Sequence, residues 1–346
     1  MNIYIDKQNL LSYVKSTKNE SFAKCNEMLK EYFSFHFSFS KMELAHVPNE
    51  PDYIKESKDL VMSWITNMNS GVRENAVHWK SKVPSMPWKE DTLSSFTKEQ
   101  LSSVYWLDNK DISEEENSSR LIVASVGNEI SSLQNLMIKN YNSQKQIKKL
   151  KGWSDINGLK SPCTDIILID RFIMSSPEIK EFNLYALLQM LCTDIDSIVN
   201  IIIFTDPQKS NQSDAGWKKI ICEIKSFVKQ KSNVEPNVTI ALSSNLGEHD
   251  RELFTNYKSY QSGDSFNYFD SNGNVITKGR FLNVYSLVDK EKYENWLDFV
   301  DDMQSLLERI DRNNPDMVKG DRKSYYLKFP QHHNIKAHSK LKKKRI

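Results

Sequence analysis

The chain has 346 residues, of which 39% are apolar and 27% are charged, a composition typical of globular proteins. Its apolar runs are far shorter than the ~20 residues of a membrane span. Glycine is scarce at 10 residues, and neither GxxxxGK[ST] nor GxGxxG occurs, so we predict no nucleotide cofactor. The net charge of +2 hides an asymmetry, since residues 1–321 include 38 basic and 45 acidic residues, whereas residues 322–346 include nine basic and no acidic residues.

Cysteine usage and the first residues bear on the cellular compartment. The four cysteines lie far apart in the sequence, and no CxxC or CxxH spacing relates them: Cys25, Cys163, Cys192 and Cys222. They predict reduced thiols rather than a disulfide framework or a zinc site. The chain begins without a basic segment followed by a long apolar stretch, so we predict no secretory signal and a cytoplasmic location.

Residues 1–118 have an irregular pattern, in which short apolar-periodic stretches alternate with polar and proline-containing runs. The periodic stretches predict helices at 6–16, 20–33 and 54–69. An acidic and polar run at 111–119 predicts a linker. We therefore expect an N-terminal region of unassigned fold that is mainly helical.

The pattern changes after the linker, where short apolar runs alternate with helical stretches. The runs predict strands at 121–126, 166–170, 200–205 and 238–242, and the other stretches predict helices at 128–150, 182–193, 217–229 and 285–310. Such alternation is typical of an α/β domain with a largely parallel sheet. We place this domain at 119–311 and a basic, flexible tail at 312–346.

A group of polar residues with fixed spacing follows the fourth predicted strand. Counted from the histidine, a basic residue stands at +2, a carboxamide at +7, a glycine at +14 and an asparagine at +18: His249, Arg251, Asn256, Gly263 and Asn267. This spacing resembles the HxKxxxxD…GSxxN signature of the phospholipase D superfamily. Arg251 stands where the signature has Lys, Asn256 where it has Asp, and Asp264 where it has Ser.

Other parts of the domain extend the resemblance over residues 120–280, about half of the chain. The segments Asp170-Arg171-Phe172-Ile173, Asn183-Leu184-Tyr185 and Thr205-Asp206, together with the histidine motif, look like the C-terminal phospholipase D-like domain of MIT-domain proteins. The resemblance implies an α/β fold with a phospholipase D-like mixed sheet flanked by helices. It also implies that catalysis has been lost.

In the enzymes of this superfamily, one histidine attacks a phosphodiester, a second protonates the leaving oxygen, and lysines bind the phosphate. The resemblance therefore implies that His249 is the nucleophile if the chain is active, and that four residues bind phosphate: Arg251, Asn256, Gly263 and Asn267. An arginine can pair bidentately with phosphate. A neutral Asn stabilises an imidazolium poorly, and in an analogous triad the change from Asp to Asn costs about 10⁴ in rate. The chain has one motif rather than two, so catalysis would require a homodimer.

Each acidic candidate has a structural alternative. Asp250 or Glu252 could pair with Arg251 in a cluster without a ligand. Asp170 and Asp206 follow predicted strands and Asp165 precedes one, which is compatible with Mg²⁺ but also with helix N-caps; we predict no metal site.

The opening of the chain, Ile3-Tyr4-Ile5-Asp6 with Asn9, resembles the first strand of PIN/NYN-type nucleases, in which such an Asp binds a metal. No later acidic set has a matching spacing. We favour the alternative that Asp6 caps the helix that follows it.

The basic tail is the second candidate for contact with nucleic acid. Its cations could each neutralise a phosphate and steepen the salt dependence of binding: Lys340, Lys342, Lys343, Lys344 and Arg345. The alternative is a flexible terminus that only adds charge.

Taken together, these patterns predict a phosphate-recognising, non-catalytic protein in a nucleic-acid-associated assembly. The resemblance adds the expectation of antiviral defence in a prokaryote. Two alternatives remain open, a homodimeric phospholipase D-type nuclease with His249 as nucleophile and a protein-interaction scaffold. Nucleic acid and a protein partner or second copy are the expected partners.

Overall fold

The computed structural model describes residues 1–16, 20–69, 77–81, 93–108, 112, 119–125, 127, 133, 136, 150–247, 251–276 and 281–330. Within this part of the chain, the strands form two sheets, of five and seven strands. Helices lie against both sheets, so the mixed α/β class is confirmed. The phospholipase D-like detail of the fold stays a prediction.

The first sheet is parallel throughout and has the order β3-β2-β1-β4-β5. Its strands are β1 (Asn2–Ile5), β2 (Ser34–Phe37), β3 (Val77–His78), β4 (Val104–Trp106) and β5 (Ile122–Ala124). The prediction of a mainly helical N-terminal region therefore missed this sheet. These strands have two to four residues. Strands β1, β4 and β5 are buried on both faces and show no alternation of apolar and polar residues, whereas β2 does alternate, with Phe35 and Phe37 buried.

The predicted N-terminal helices are confirmed as α1 (Lys7–Lys15), α2 (Glu20–Tyr32) and α3 (Asp52–Asn69). Each buries its apolar side against the first sheet. Trp64 of α3 contacts Phe35 of β2 with ring centroids 5.0 Å apart, and Tyr13 of α1 contacts Trp106 of β4 at 4.8 Å. A single helical turn, α4 (Lys98–Leu101), precedes β4.

The strand predicted at 121–126 forms, but it belongs to the first sheet. Ile122 of β5 pairs with Val104 of β4, and Ala124 pairs with Trp106. The predicted division at 118/119 therefore separates β5 from the strand beside it. An apolar run indicates that a strand is buried, but not which neighbour it pairs with.

The second sheet has the order β11-β10-β9-β6-β7-β8-β12. Its strands are β6 (Asp165–Ile169), β7 (Asn200–Thr205), β8 (Asn237–Leu242), β9 (Glu252–Phe254), β10 (Lys258–Ser262), β11 (Leu282–Ser286) and β12 (Val318–Gly320). Strands β6, β7 and β8 are parallel, and the pairs outside them are antiparallel. The three parallel strands agree with the strands predicted from the apolar runs. Strand β12 pairs with β8 inside the segment predicted as a flexible tail from residue 312, so that prediction is wrong for its described part.

Helices are found near the positions predicted at 182–193, 217–229 and 285–310, whereas the helix predicted at 128–150 lies almost wholly outside the described residues. The segments Pro177–Ile179, Lys180–Tyr185 and Ala186–Leu191 follow one another as one helix, α5, whose middle part is a π turn. The others are α6 (Pro207–Ser210), α7 (Asp214–Lys229) and the long α8 (Lys290–Asn313). Helix α7 begins at an N-cap, where the Ser213 hydroxyl accepts a bond from the Gly216 amide. No helix in the described ranges is long and apolar enough to cross a bilayer.

The turn between β9 and β10 connects the two sheets. The Tyr257 hydroxyl donates to the Ser103 carbonyl at 2.9 Å and accepts from the Ile122 amide at 2.6 Å. The ring is fully buried. One apolar core accordingly includes residues of both sheets, such as Phe35 and Phe204.

Replacing Tyr257→Phe tests this connection. The variant keeps the ring but leaves the buried Ser103 carbonyl and Ile122 amide without their partner, which costs about 1–3 kcal/mol. We expect a lower free energy of unfolding in urea, with Tyr285→Phe, which is partly exposed, as the control. Equal stability of the two variants would contradict the role given to the Tyr257 hydroxyl.

Candidate functional site

Strand pairing brings one of the predicted motif residues to the carboxyl end of β6. Strand β9 runs antiparallel to β6, and Ile169 pairs with Glu252. Arg251, which precedes β9, therefore lies beside Asp170, which follows β6. The carbonyl of Arg251 accepts a bond from the Ser262 amide at the end of β10 at 3.1 Å. Residues that follow Ser262 thus reach the same edge of the sheet.

Asp170 fixes the loops at this edge. Its buried carboxylate accepts bonds from the Phe172 amide at 2.9 Å, the Ser265 hydroxyl at 2.7 Å and the Phe266 amide at 2.7 Å. Burial raises the pKa of this carboxyl, while the hydrogen bonds and the charge of Arg251 oppose the rise. Asp170 therefore ties the loop after β6 to the loop after β10.

Three cations surround the half-buried ring of Phe172. The guanidinium carbons of Arg171 and Arg251 lie 5.8 and 5.7 Å from the ring centroid, and the Lys209 amine lies 5.6 Å from it. These distances are within the range of cation–π attraction. We call Arg171, Phe172, Lys209 and Arg251 the Phe172 cluster.

Sequence analysis missed the ring and two of the three cations of this cluster. Arg171 directly follows Asp170, and Lys209 follows Asp206 at the end of the neighbouring parallel strand. The carboxyl ends of parallel strands share one edge of a sheet, and open α/β sheets bind ligands there. That rule, applied to β6 and β7, would have placed both cations beside Arg251.

Two carboxylates pair with the arginines of the cluster. Arg171 Nη2 lies 2.9 Å from Asp206 Oδ2, and Arg251 Nη1 lies 3.2 Å from Asp264 Oδ1. The Nε atoms of both arginines are buried and have no hydrogen-bond acceptor among the described residues. Each guanidinium thus retains an unsatisfied N–H donor.

Gly263 and Asn267 lie in the loop after β10, on the same side as Arg251. A Cβ atom on Gly263 would come within 2.9 Å of the Phe281 ring, so a larger residue there requires that exposed side chain to shift. The Asn267 side-chain oxygen accepts a bond from Asn183 Nδ2 at 3.0 Å. Asn183, in the π turn of α5, also accepts from the Tyr268 amide at 2.8 Å. Both motif positions therefore shape the loop.

The structure does not bring Asn256 to the Phe172 cluster. Asn256 lies at the opposite end of β9 from Arg251, and it is fully buried. Its side-chain oxygen accepts from the Thr164 amide at 2.9 Å, and its side-chain nitrogen donates to the Leu101 carbonyl at 2.7 Å. The carboxamide is thus engaged between the two sheets, and the geometry gives it a structural role in place of the predicted contact with phosphate.

Several predicted site residues lie outside the described residues. They are His249 and the tail residues Lys340, Lys342, Lys343, Lys344 and Arg345. Asp250 also lies outside them, so its predicted pairing with Arg251 stays a prediction. The Glu252 carboxylate accepts a bond from Gln261 at 2.8 Å.

The remaining acidic candidates have structural partners. Asp206 caps α6 by accepting from the Gln208 amide at 2.9 Å. Asp165 lies at the amino end of β6, remote from Asp170 along the strand, and accepts from the Ser324 hydroxyl at 2.7 Å. Asp6 caps α1 and accepts from the Asn9 amide at 2.7 Å, which confirms the favoured interpretation. No group of three His, Cys, Asp or Glu side chains suited to a metal occurs in the described part of the chain.

Comparison with known proteins adds no assignment to this geometry. No protein-family model matches the chain, and no curated protein matches it at a significant level.

Proposed function

We propose that the chain recognises phosphate groups of nucleic acid at the Phe172 cluster without catalysing a reaction, as part of a nucleic-acid-associated assembly. The observation that carries this proposal is the convergence of Arg171, Lys209 and Arg251 on one ring at the carboxyl edge of a parallel sheet. The proposal also includes a phospholipase D-like domain and a role in a prokaryotic defence complex. Both of these parts rest on the resemblance of the motif.

The chemistry of the cluster suits an oxyanion. Guanidinium groups form charge-assisted, often bidentate bonds to phosphate oxygens. The two arginines are mostly buried, with side chains 16% and 12% exposed for Arg171 and Arg251. Their positions are fixed by Asp206 and by the loop that Asp170 holds. A ligand would therefore meet donors that are already oriented, which lowers the entropic cost of binding.

Binding without catalysis is supported by the residues around the cluster. Asn256, at the position of the signature Asp, lies at the far end of β9. The described histidines His36, His46 and His78 contact residues of the N-terminal sheet and its helices. His249 precedes Arg251 by two residues in the sequence, so the choice between a binding site and a nuclease is tested at that residue.

The first test is binding of a labelled 20-nucleotide single-stranded DNA or RNA, measured by fluorescence anisotropy at two salt concentrations. We expect Arg251→Gln to weaken binding about tenfold, because it removes one charge-assisted contact. The slope of log affinity against log salt should fall by about 0.7 for a single strand. Arg312→Gln, on the exposed side of α8, should leave both quantities unchanged.

Three outcomes would overturn the proposal. Equal loss of affinity in Arg251→Gln and Arg312→Gln would show that binding depends only on total charge. Absence of any binding would favour the scaffold alternative. Incubation of the same oligonucleotides with the protein, with and without Mg²⁺, tests for cleavage. Cleavage by the wild type that is abolished in His249→Ala would establish the nuclease instead.

A further inference from the structure

The two arginine–carboxylate pairs of the Phe172 cluster differ in which partner is closer to solvent. In the first pair, Asp206 is 1% exposed and Arg171 is 16% exposed, so the carboxylate lies beneath the guanidinium. In the second pair, Asp264 is 34% exposed and Arg251 is 12% exposed, so the carboxylate lies on the solvent side. Asp206 thus orients its arginine from below, whereas Asp264 covers its arginine from outside.

The position of Asp264 is fixed by its own loop. Its Oδ1 accepts a bond from the Ser265 amide at 2.8 Å, and the same oxygen lies 3.2 Å from Arg251 Nη1. Asp170 accepts hydrogen bonds from the Ser265 hydroxyl and the Phe266 amide, and these bonds fix the position of the loop. The carboxylate of Asp264 is therefore held at Arg251 by the backbone as well as by charge.

An anion that binds Arg251 from solvent must compete with this carboxylate. A phosphate oxygen and a carboxylate oxygen prefer the same position on a guanidinium, and two like charges placed together repel. Arg171, the other arginine of the cluster, is itself paired with Asp206, so its charge is already partly neutralised.

From this arrangement we infer that Asp264 is an autoinhibitory carboxylate, which occupies the phosphate position on Arg251 and must move aside before a nucleic-acid phosphate binds. The inference rests on the proposed function and adds its regulation. It makes binding at Arg251 selective for ligands that engage Arg171 or Lys209 first and then displace Asp264. A ligand with adjacent phosphates fits this requirement better than a single inorganic anion.

The test uses the full chain and the dinucleotide pTpT. This ligand carries two phosphates and is too short to contact many cations at once. Affinity is measured by isothermal titration calorimetry for the wild type, Asp264→Asn, Arg251→Gln and the double variant. Asp264→Asn keeps a side-chain oxygen for the Ser265 amide and removes the competing charge. We expect it to bind pTpT about tenfold more tightly, and the gain should disappear when Arg251→Gln is added.

Asp194→Asn is the matched control, because it removes one charge from an exposed ion pair with Lys160 at the opposite edge of the sheet. Asp194 has a positive φ of 63°, which asparagine tolerates. If Asp264→Asn and Asp194→Asn strengthen binding equally, the effect is one of net charge and the inference is wrong. Unchanged or weaker binding by Asp264→Asn, with weaker binding by Arg251→Gln, overturns the inference and leaves the proposed function intact. No effect of Arg251→Gln in either background overturns both.

Discussion

Changing Asn256→Asp should lower the free energy of unfolding by about 3 kcal/mol, although it restores the residue of the phospholipase D signature. Aspartate cannot donate to the Leu101 carbonyl, and it would bring a charge into a fully buried site between the two sheets. Loss of a buried hydrogen bond costs about 1–3 kcal/mol, and burial of an unpaired charge adds to that cost. The measurement is equilibrium unfolding in urea at neutral pH.

Asn267→Asp is the control for this experiment, because it makes the same change at the other asparagine of the motif. Asn267 uses its oxygen to accept from Asn183, and aspartate can do the same, so the expected loss is below about 1 kcal/mol. If the two variants were equally stable, Asn256 would have no special structural role. Gain of nuclease activity in Asn256→Asp would support the catalytic alternative directly.

The second large effect is the pH dependence that Asp165 contributes. This carboxyl is completely buried at the amino end of β6, and burial raises its pKa to about 6 from an ordinary 3.8. Between these two pH values, the folded protein binds more protons than the unfolded chain. Stability from this group therefore falls as pH rises from about 4 to about 6, by about 3 kcal/mol in total.

Asp165→Asn isolates this contribution. The amide keeps an oxygen that can accept from the Ser324 hydroxyl and the Tyr325 amide, but it does not ionise. Urea unfolding from pH 4 to pH 7 should show the stability of the variant rising relative to the wild type across the window, with no such trend for the exposed Asp298→Asn. A difference that is independent of pH would show that Asp165 titrates normally in the folded protein.

How far the sequence predicts the fold depends on the length and periodicity of each element. Helix α7 was predictable because its buried residues recur at helical spacing, and β7 because it is a continuous run of β-branched residues. Strand β4 was not, because three residues carry no period that distinguishes them from a loop. Strand β2 was overlooked, although buried Phe35 and Phe37 alternate with half-buried polar residues as in a strand with one buried face. Their stability comes from neighbours in the sheet, which one sequence does not reveal.

The sequence likewise indicated some residues of the candidate site and not others. The spacing of the motif singled out Arg251, which the structure places at the carboxyl edge of the sheet. It gave no indication that Asn256 lies at the other end of β9, because spacing along a chain does not distinguish a site residue from one that bridges two sheets. Arg171 and Lys209 come from loops distant in sequence, and only the parallel pairing of β6 with β7 brings them together.

The turn that joins β9 to β10 also constrains the order in which the protein can be completed during synthesis. The Leu101 and Ser103 carbonyls receive their donors from Asn256 and Tyr257, about 150 positions later in the chain. A ribosome that has released the first sheet must therefore make a further stretch as long as an ordinary domain before these groups are satisfied. Contacts of such large sequence separation slow folding, and a nascent chain with an incomplete core is exposed to aggregation. The N-terminal sheet thus lacks these two hydrogen-bond donors from the time it leaves the ribosome until Asn256 and Tyr257 have been made.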